Sequence, residues 1–428
     1  MIFNVKDFGA IGNSITDDTK SIQKCFRVVE TYIEPVTILF PEGIYNINEP
    51  LQLFLFSPNV QLIGNNATIF RIDKSLNKDF TPMISIKTNV VTTFTINGLI
   101  FNGNASNNPL PINSEPTIFE HSACLSINGQ NFKSISISNC IFNDCTGDGV
   151  LVGGDKKVVS GRISMCNIQE LVRNRTRSGI TITCDYEDLI ISNSNVEKME
   201  VETNGISQSN RGNVIVSNCI IKKGFDFNYK NNSNSTNPIL LLNNSIIIGR
   251  MNICGFHSNI NNCEFNLTET NRINSGNSGN RCDVNYSNCT FKNDDNFKDQ
   301  YLISVMNPDT SPRIIKFINC NFDVKNIKYI FWDNNSVYDD RISIFEHNIF
   351  NGQCENVFYF RSGKWFINNN IFVISSNLLI NQTSVTLNIK NYTEICNNRI
   401  FSIIDNLFKK PNNKNIEFKI ESNSYIKK

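Results

Sequence analysis

The sequence predicts an all-β fold: a β-solenoid with an N-terminal capping helix. Three observations carry the prediction. First, a short unit seen in residues 134–154, SISISNCIFNDCTGDGVLVGG, recurs down the chain, as at Val216–Ile221, Ile260–Phe265, Tyr286–Phe291 and Phe317–Phe322. Second, apolar residues alternate with polar ones at period two, the strand period, and no helical repeat of period 3.6 accompanies them. Third, an asparagine stands at the bend of most units. Asparagine tolerates left-handed φ, and its amide bonds neighbouring backbone, so it suits a turn used again and again. A supersecondary unit repeated in one chain marks a solenoid, in which each repeat packs only on its neighbours.

Residues 3–33 differ from the repeats. A short strand at Phe3–Val5 runs into a turn at Gly9, and Thr16-Asp17-Asp18-Thr19 opens a helix. Acidic residues in a first turn are favoured by the helix dipole. Ile22, Cys25, Phe26, Val29 and Ile33 follow helical spacing and give one apolar face. A β-solenoid end exposes strand edges and an open core, and an amphipathic helix laid across it is the expected cover.

This stretch resembles the opening of the pectate-lyase-superfamily β-helices, the group that includes polygalacturonase-like enzymes and many phage tail spikes. Their pattern is N-V-x-D-F/Y-G-A-x-G-D-G-x-T-D-D-T-x-A-I/L-Q. The chain keeps Asn4, Val5, Asp7, Phe8, Gly9, Ala10, Gly12, Thr16, Asp17, Asp18, Thr19, Ile22 and Gln23, and departs at Asn13-Ser14. Leu39-Phe40-Pro41-Glu42-Gly43-Ile44-Tyr45 and the rung from Val60 to Ile69 resemble the next landmarks. The resemblance implies residues 1–70 as cap and first coils and residues 71–428 as a right-handed parallel β-helix. It speaks to fold far more than to reaction.

From residue 84 the coils accumulate. The turn column reads Asn139, Met165, Asn193, Asn218, Asn244, Asn262, Asn288, Asn319, Glu346, Asn369 and Asn397, with most intervals in the twenties. That length suits three short strands and their turns. Cys140, Cys166, Cys219, Cys263, Cys289 and Cys320 stand as one column just after that turn residue. The fourteen cysteines lack paired metal-ligand spacings, so the column reads as small apolar filler. Rungs about 4.8 Å apart leave an occasional disulfide sterically open. Phe358, Phe360, Trp365, Phe366, Phe372, Phe401 and Phe408 read as larger core filler toward the C-terminus. Exposed aromatics there would instead suggest sugar stacking or a contact between chains.

The formal net charge is +1 and 18% of residues are charged. With no long basic run, electrostatic capture of nucleic acid is not expected. No apolar run is long enough to span a bilayer. The start MIFNVKDFGA lacks the pattern of a secretory signal. An extracellular place would then follow a removed signal or another exit route, such as a virion.

Chemistry is expected where three coils carry Asp148-Gly149-Val150, Ser178-Gly179-Ile180 and Asn204-Gly205-Ile206. Stacked in line, Asp148, Ser178 and Asn204 would form one row, with a dense set of ionisable residues around it. A glycosidase needs two carboxylates, one acid and one base or nucleophile. A lyase needs a base and a cation for developing charge. Asp144, Asp148, Glu170 and Arg177 are the catalytic candidates. Arg173, Arg175, Asp155, Asn204 and Gln208 are the substrate-binding ones. Each has a plainer reading: a turn aspartate for Asp148, and a solvated loop paired with Glu170 and Asp185 for the arginines.

The family comparison cuts both ways. Arg177-Ser178-Gly179-Ile180-Thr181-Ile182 resembles a motif N-R-x-Q-G-I-S/T-I of some relatives. The next motif, G-I-D-I-E-P, is replaced by Gly205-Ile206-Ser207-Gln208-Ser209, and both of its acids are missing. His121, His257 and His347 are isolated. The superfamily's calcium sites use clustered aspartates, whereas Asp294-Asp295 and Asp339-Asp340 are adjacent pairs whose side chains would point apart on a strand. No cofactor or metal is therefore expected. The resemblance implies cleavage of an acidic polysaccharide by hydrolysis or lyase chemistry. The alternative is a β-helix that binds glycan or builds a virion without catalysis. Tail-spike relatives imply a homotrimer, in which three solenoids bury lateral faces.

Overall fold

The computed structural model describes residues 1–72, 82–107, 122–129, 131–153, 161–170, 178–184, 186–205, 212–231, 238–268, 273–275, 282–305, 313–333, 341–361, 363–382, 391–401, 404–409, 416–421 and 423–425. The chain divides into two compact units, Met1–Ile215 and Val216–Lys428. Both are stacks of parallel strands, the β-helix that the repeat predicts.

In the first unit each coil visits three sheets. The first sheet stacks Val36–Phe40 on the start of Asn59–Arg71, then Thr92–Asn102, Phe132–Ser138, Arg162–Cys166 and Asp188–Ser192. The second stacks Gly43–Ile47 on the far half of the same bent strands, then Ile141–Asn143, Gln169–Glu170 and Asn195–Val196. The third runs Leu51–Leu55, Ile84–Thr88, Leu125–Gly129, Val150–Val152, Ile180–Ile182 and Met199–Gly205. Alternate residues face inward, so Ile135, Ile163 and Leu189 lie in one buried row.

The N-terminal helix is Thr19–Val29, with Ile22, Cys25, Phe26 and Val29 buried as the spacing predicts. Ile33 does not join them. The helix ends at Val29, and Ile33 stands 74% exposed in the loop beyond it. The cover works through hydrogen bonds as well as apolar contact. Thr19 Oγ1, Gln23 Oε1 and Glu30 Oε1 accept from the backbone N–H groups of Asn48, Gln52 and Phe54 at 3.0, 2.9 and 3.1 Å. Gln23 Nε2 also donates to Gln52 O at 2.7 Å. The first strand of the third sheet thus finds on the helix the partners that a preceding strand would have supplied.

The two aspartates of the opening motif divide their work. Asp17 Oδ1 accepts from Thr19 N at 3.0 Å, at the start of the helix. Asp18 is fully buried and accepts from Ile11 N at 2.7 Å and Gly12 N at 3.0 Å. Gly12 has φ +69°, and a Cβ there would lie 2.9 Å from the Tyr45 ring, so only glycine fits.

The turn between the first and second sheets is left-handed. In the first unit it is made by Asn139, Asn167 and Asn193, with φ of 54°, 55° and 52°. Asn167 takes the place expected for Met165, which is a buried inward residue of Arg162–Cys166. The side chains form a ladder: Asn139 Nδ2 donates to Asn97 Oδ1 at 2.8 Å, and Asn167 Nδ2 to Asn139 Oδ1 at 2.9 Å. In the second unit the turn residues are Asn218, Asn244, Asn262, Asn288, Asn319, His347, Asn369 and Asn397. Here exposed His347, and not Glu346, adopts φ 57°.

The cysteine column needs a similar correction. Cys140, Cys219, Cys263, Cys289 and Cys320 directly follow the turn residue and are buried, but Cys166 precedes Asn167 and is half-buried. None of the fourteen cysteines is disulfide-bonded.

The second unit has a more aromatic core. Phe265, Phe291, Phe322, Phe350 and Phe372 stack with ring centroids 4.6–4.9 Å apart, the rung spacing. Phe358, Phe360, Trp365 and Phe372 are fully buried, as core filler should be. Phe366 and Phe401 are half-buried instead, and the Phe408 side chain lies outside the described ones.

Candidate functional site

The candidate face lies in the first unit, where the chain enters the third sheet. Asp148 ends a bend whose backbone is knitted to the coils on either side. Cys124 N donates to Asp148 O at 2.9 Å, and Gly149 N to Ser178 O at 3.1 Å. The Asp148 side chain is fully buried, and its Oδ1 accepts from Ser178 N at 3.0 Å. Ser178 Oγ in turn donates to Glu200 Oε2 at 2.9 Å. Lys198 Nζ stands 3.2 Å from the same oxygen. Two carboxylates on different coils are therefore linked through one serine. The inner one is buried, and the outer one keeps 22% of its side chain exposed.

Strand alternation explains this arrangement. Met199 and Val201 point into the core, so Glu200 between them points out. Glu200 lies in register with Thr181, and Thr181 with Leu151. Thr181 is only 2% exposed, and its hydroxyl has no hydrogen-bond partner among the described residues. An anion held by an ammonium and a hydroxyl is a strong charge-assisted pair. Beside it lies a hydroxyl with donor and acceptor capacity still to spend.

Asp144 has a different post. It sits at φ 48° and is 8% exposed. Its Oδ2 accepts from Ser106 N and its backbone oxygen from Ala105 N, both at 2.9 Å. Asp144 and Asp148 thus both receive backbone N–H groups of neighbouring coils.

The expected row of Asp148, Ser178 and Asn204 is only partly formed. Register places Val150 beside Ile180 and Ile180 beside Met199. Asn204 lies near the far end of Met199–Gly205, five residues beyond the partner of Ile180, and so does not line up with Ser178. The repeated small-polar, glycine, β-branched triplet does not set the register; the buried apolar positions of the strand do. The side chains of Glu170 and Asn204 lie outside the described ones, as do residues Asp155, Arg173, Arg175, Arg177 and Gln208.

Sequence reasoning placed Glu200 among the surrounding charges without singling it out. The available signal was Lys198-x-Glu200, two like-facing residues of opposite charge on one strand. His257 Nδ1 accepts from Asp283 N at 3.2 Å in the second unit, and His121 lies outside the described residues. Among the described residues no group of three or more aspartate, glutamate, histidine or cysteine side chains is gathered, and Asp339-Asp340 lie outside them.

With this geometry in hand, comparison with known proteins gives the family. Residues 2–235, more than half of the chain, match the model of the rhamnogalacturonase A/epimerase, pectate lyase-like family. The chain belongs to this family. The matched segment contains the capping helix and every candidate residue named above. No curated protein matches the chain. Among solved structures, the A-module of a mannuronan C-5 epimerase from Azotobacter vinelandii is 12% identical, covering 99% of this chain and 100% of that one, at a TM-score of 0.38. Tailspike protein 3 of bacteriophage CBA120 is 11% identical over 99% of this chain and 62% of that one, at 0.42. A family 28 exopolygalacturonase from Yersinia enterocolitica is 10% identical over 100% and 79%, at 0.35. Among the described residues no helix is long and apolar enough to cross a membrane.

Proposed function

We propose that this protein binds and cleaves an acidic extracellular or surface polysaccharide through the face that carries Glu200. The observation that carries the reading is the hydrogen-bonded path Asp148–Ser178–Glu200, which lies wholly inside the segment matching a rhamnogalacturonase/epimerase family. Glu200 is the carboxylate that meets substrate, positioned by Ser178 and Lys198. Asp148 and Asp144 are positioning residues, because each binds backbone of an adjacent coil. Glu170 and Arg177 are the proposed second carboxylate and charge-stabilising cation. Arg173, Arg175, Asp155, Asn204 and Gln208 are proposed to hold the polymer. A base with a cation serves proton abstraction beside a uronate carboxyl, which begins both elimination and C-5 epimerisation. Two carboxylates serve hydrolysis.

The test is incubation with polygalacturonate, rhamnogalacturonan and alginate. New reducing ends alone mark hydrolysis, ultraviolet absorbance of an unsaturated uronate marks lyase action, and an altered NMR signature without chain shortening marks epimerisation. Glu200→Gln should lower kcat/KM by about 10²–10⁴-fold with folding intact. No change in any of the three polymers would sink the enzymatic reading. It would favour the second one, a non-catalytic glycan-binding or structural virion protein, motivated by Ser207 and Ser209 at the positions of the missing acids. Either role calls for an extracellular or virion-borne protein, and a homotrimer goes with the tail-spike reading. Light scattering that returns the mass of one chain removes the trimer.

A further inference from the structure

The second unit carries a cluster that the candidate face does not use. On the outer side of its third sheet, Asp226, Asn252, Asn274, Ser304, Trp332, Tyr359 and Asn381 occupy successive rungs in register. The first four form a polar ladder. Asn252 Nδ2 donates to Asp226 Oδ1 at 2.6 Å, Asn274 Nδ2 to Asn252 Oδ1 at 2.8 Å, and Ser304 Oγ to Asn274 Oδ1 at 2.6 Å. The row then turns aromatic. Trp332 stacks on Tyr301 at 4.3 Å between centroids and on Tyr359 at 6.0 Å; Tyr329 lies 5.7 Å from Tyr301 and 5.3 Å from Tyr359. All four rings are half-buried, in contrast to the fully buried phenylalanine stack inside. Beyond them, Asn381 Nδ2 donates to Asn356 Oδ1 at 3.3 Å, while Asn381 Oδ1 is buried with no partner among the described residues.

We infer that this aromatic cluster is a second glycan-binding site, which takes the pyranose rings of a polysaccharide chain and is separate from the face around Glu200. The chemistry of the row selects the occupant. Every ring is a tyrosine or tryptophan, so each offers an apolar body and a polar tip. A pyranose presents the same pairing, C–H faces and hydroxyls. The outward row contains amides, one carboxylate and a hydroxyl but no aliphatic side chain, so beside the rings it offers hydrogen-bonding groups rather than apolar packing. The charges beside it balance: Arg250 lies 3.5 Å from Asp226, and Lys328, 5.5 Å over the Tyr329 ring, has exposed Glu355 for a neighbour of the same tyrosine. Such a surface holds a sugar chain by ring contact and hydrogen bonds, with little call on net charge.

The protein supplies its own local reporter. It has two tryptophans: Trp365 is fully buried and Trp332 half-exposed. Acrylamide should quench one emitting population readily, and titration with polygalacturonate, alginate or dextran should protect that population. In a Tyr301→Ala/Tyr359→Ala variant, half-protection should need about tenfold more polymer. Glu200→Gln should leave the protection unchanged, so loss of the catalytic reading does not touch this one. The proposal is overturned if none of the three polymers protects Trp332, or if the double variant is protected as well as the original chain. It is equally overturned if Trp332→Ala changes the oligomeric mass, because the rings then cover another copy of the chain.

Discussion

The two units bury polar groups in different ways. In the first, buried carboxylates serve the backbone: Asp18 accepts from Ile11 and Gly12, Asp144 from Ser106, and Asp148 from Ser178. In the second, amides serve one another. The position after the left-handed turn passes from Cys263, Cys289 and Cys320 to Asn348, Asn370 and Asn398, and Asn423 continues the row on the last rung. Asn348 donates through N and Nδ2 to Asn370 Oδ1 at 2.9 and 3.0 Å, Asn370 to Asn398 at 2.9 and 3.1 Å, and Asn398 to Asn423 at 3.0 and 3.0 Å. The second unit also buries an ion pair, Arg341 with Asp333. A stacked position accepts either a small apolar side chain or a polar one that its copy on the next rung satisfies. A lone carboxylate instead needs a backbone donor brought to it by a loop.

Substitutions can break that contrast. The largest effect is expected at the ion pair. Arg341→Met leaves a fully buried carboxylate and should cost about 3–5 kcal/mol, read as a lower urea midpoint; Asp333→Leu added to it should recover much of the loss. Next comes the amide ladder. Asn370→Leu strips acceptors from Asn348 and a donor from Asn398 and Phe345 O, and should cost about 2–3 kcal/mol by the same measurement. Cys289→Ala, one rung type earlier, removes only a small buried side chain and should cost about 1 kcal/mol. If Asn370→Leu and Cys289→Ala cost the same, the ladder adds nothing beyond filler.

The last effect is one of pH, and it falls on both units. Burial pushes the Cys140 thiol from 9.0 to about 11 and Cys282, helped by Asp283, from 9.0 to about 12. These groups hold in the fold a proton that the unfolded chain releases above about pH 9. Their stabilisation is complete below that pH and is lost as pH rises toward 11–12. The urea midpoint should thus fall across that alkaline window, and less so in Cys140→Ala. A flat profile would remove the claim that these thiols stay protonated in the folded chain.

Much of the molecule is legible from residues alone. Period-two alternation, a turn asparagine and a family-like opening motif dictate coils, their stacking and the helix over the first strand, because each is a local consequence of strand geometry and backbone conformation. What tertiary structure decided is register. Asn167 rather than Met165 takes the turn, and Met199 rather than Ile206 pairs with Ile180, because the buried apolar set of each strand aligns the rungs while turn lengths vary from coil to coil. Outward Glu200 and Trp332 are visible as residues in the sequence, but their neighbours are not. Ser178 beside the one, and Tyr301 and Tyr359 beside the other, arrive from different coils, and only the stacking of rungs brings them together.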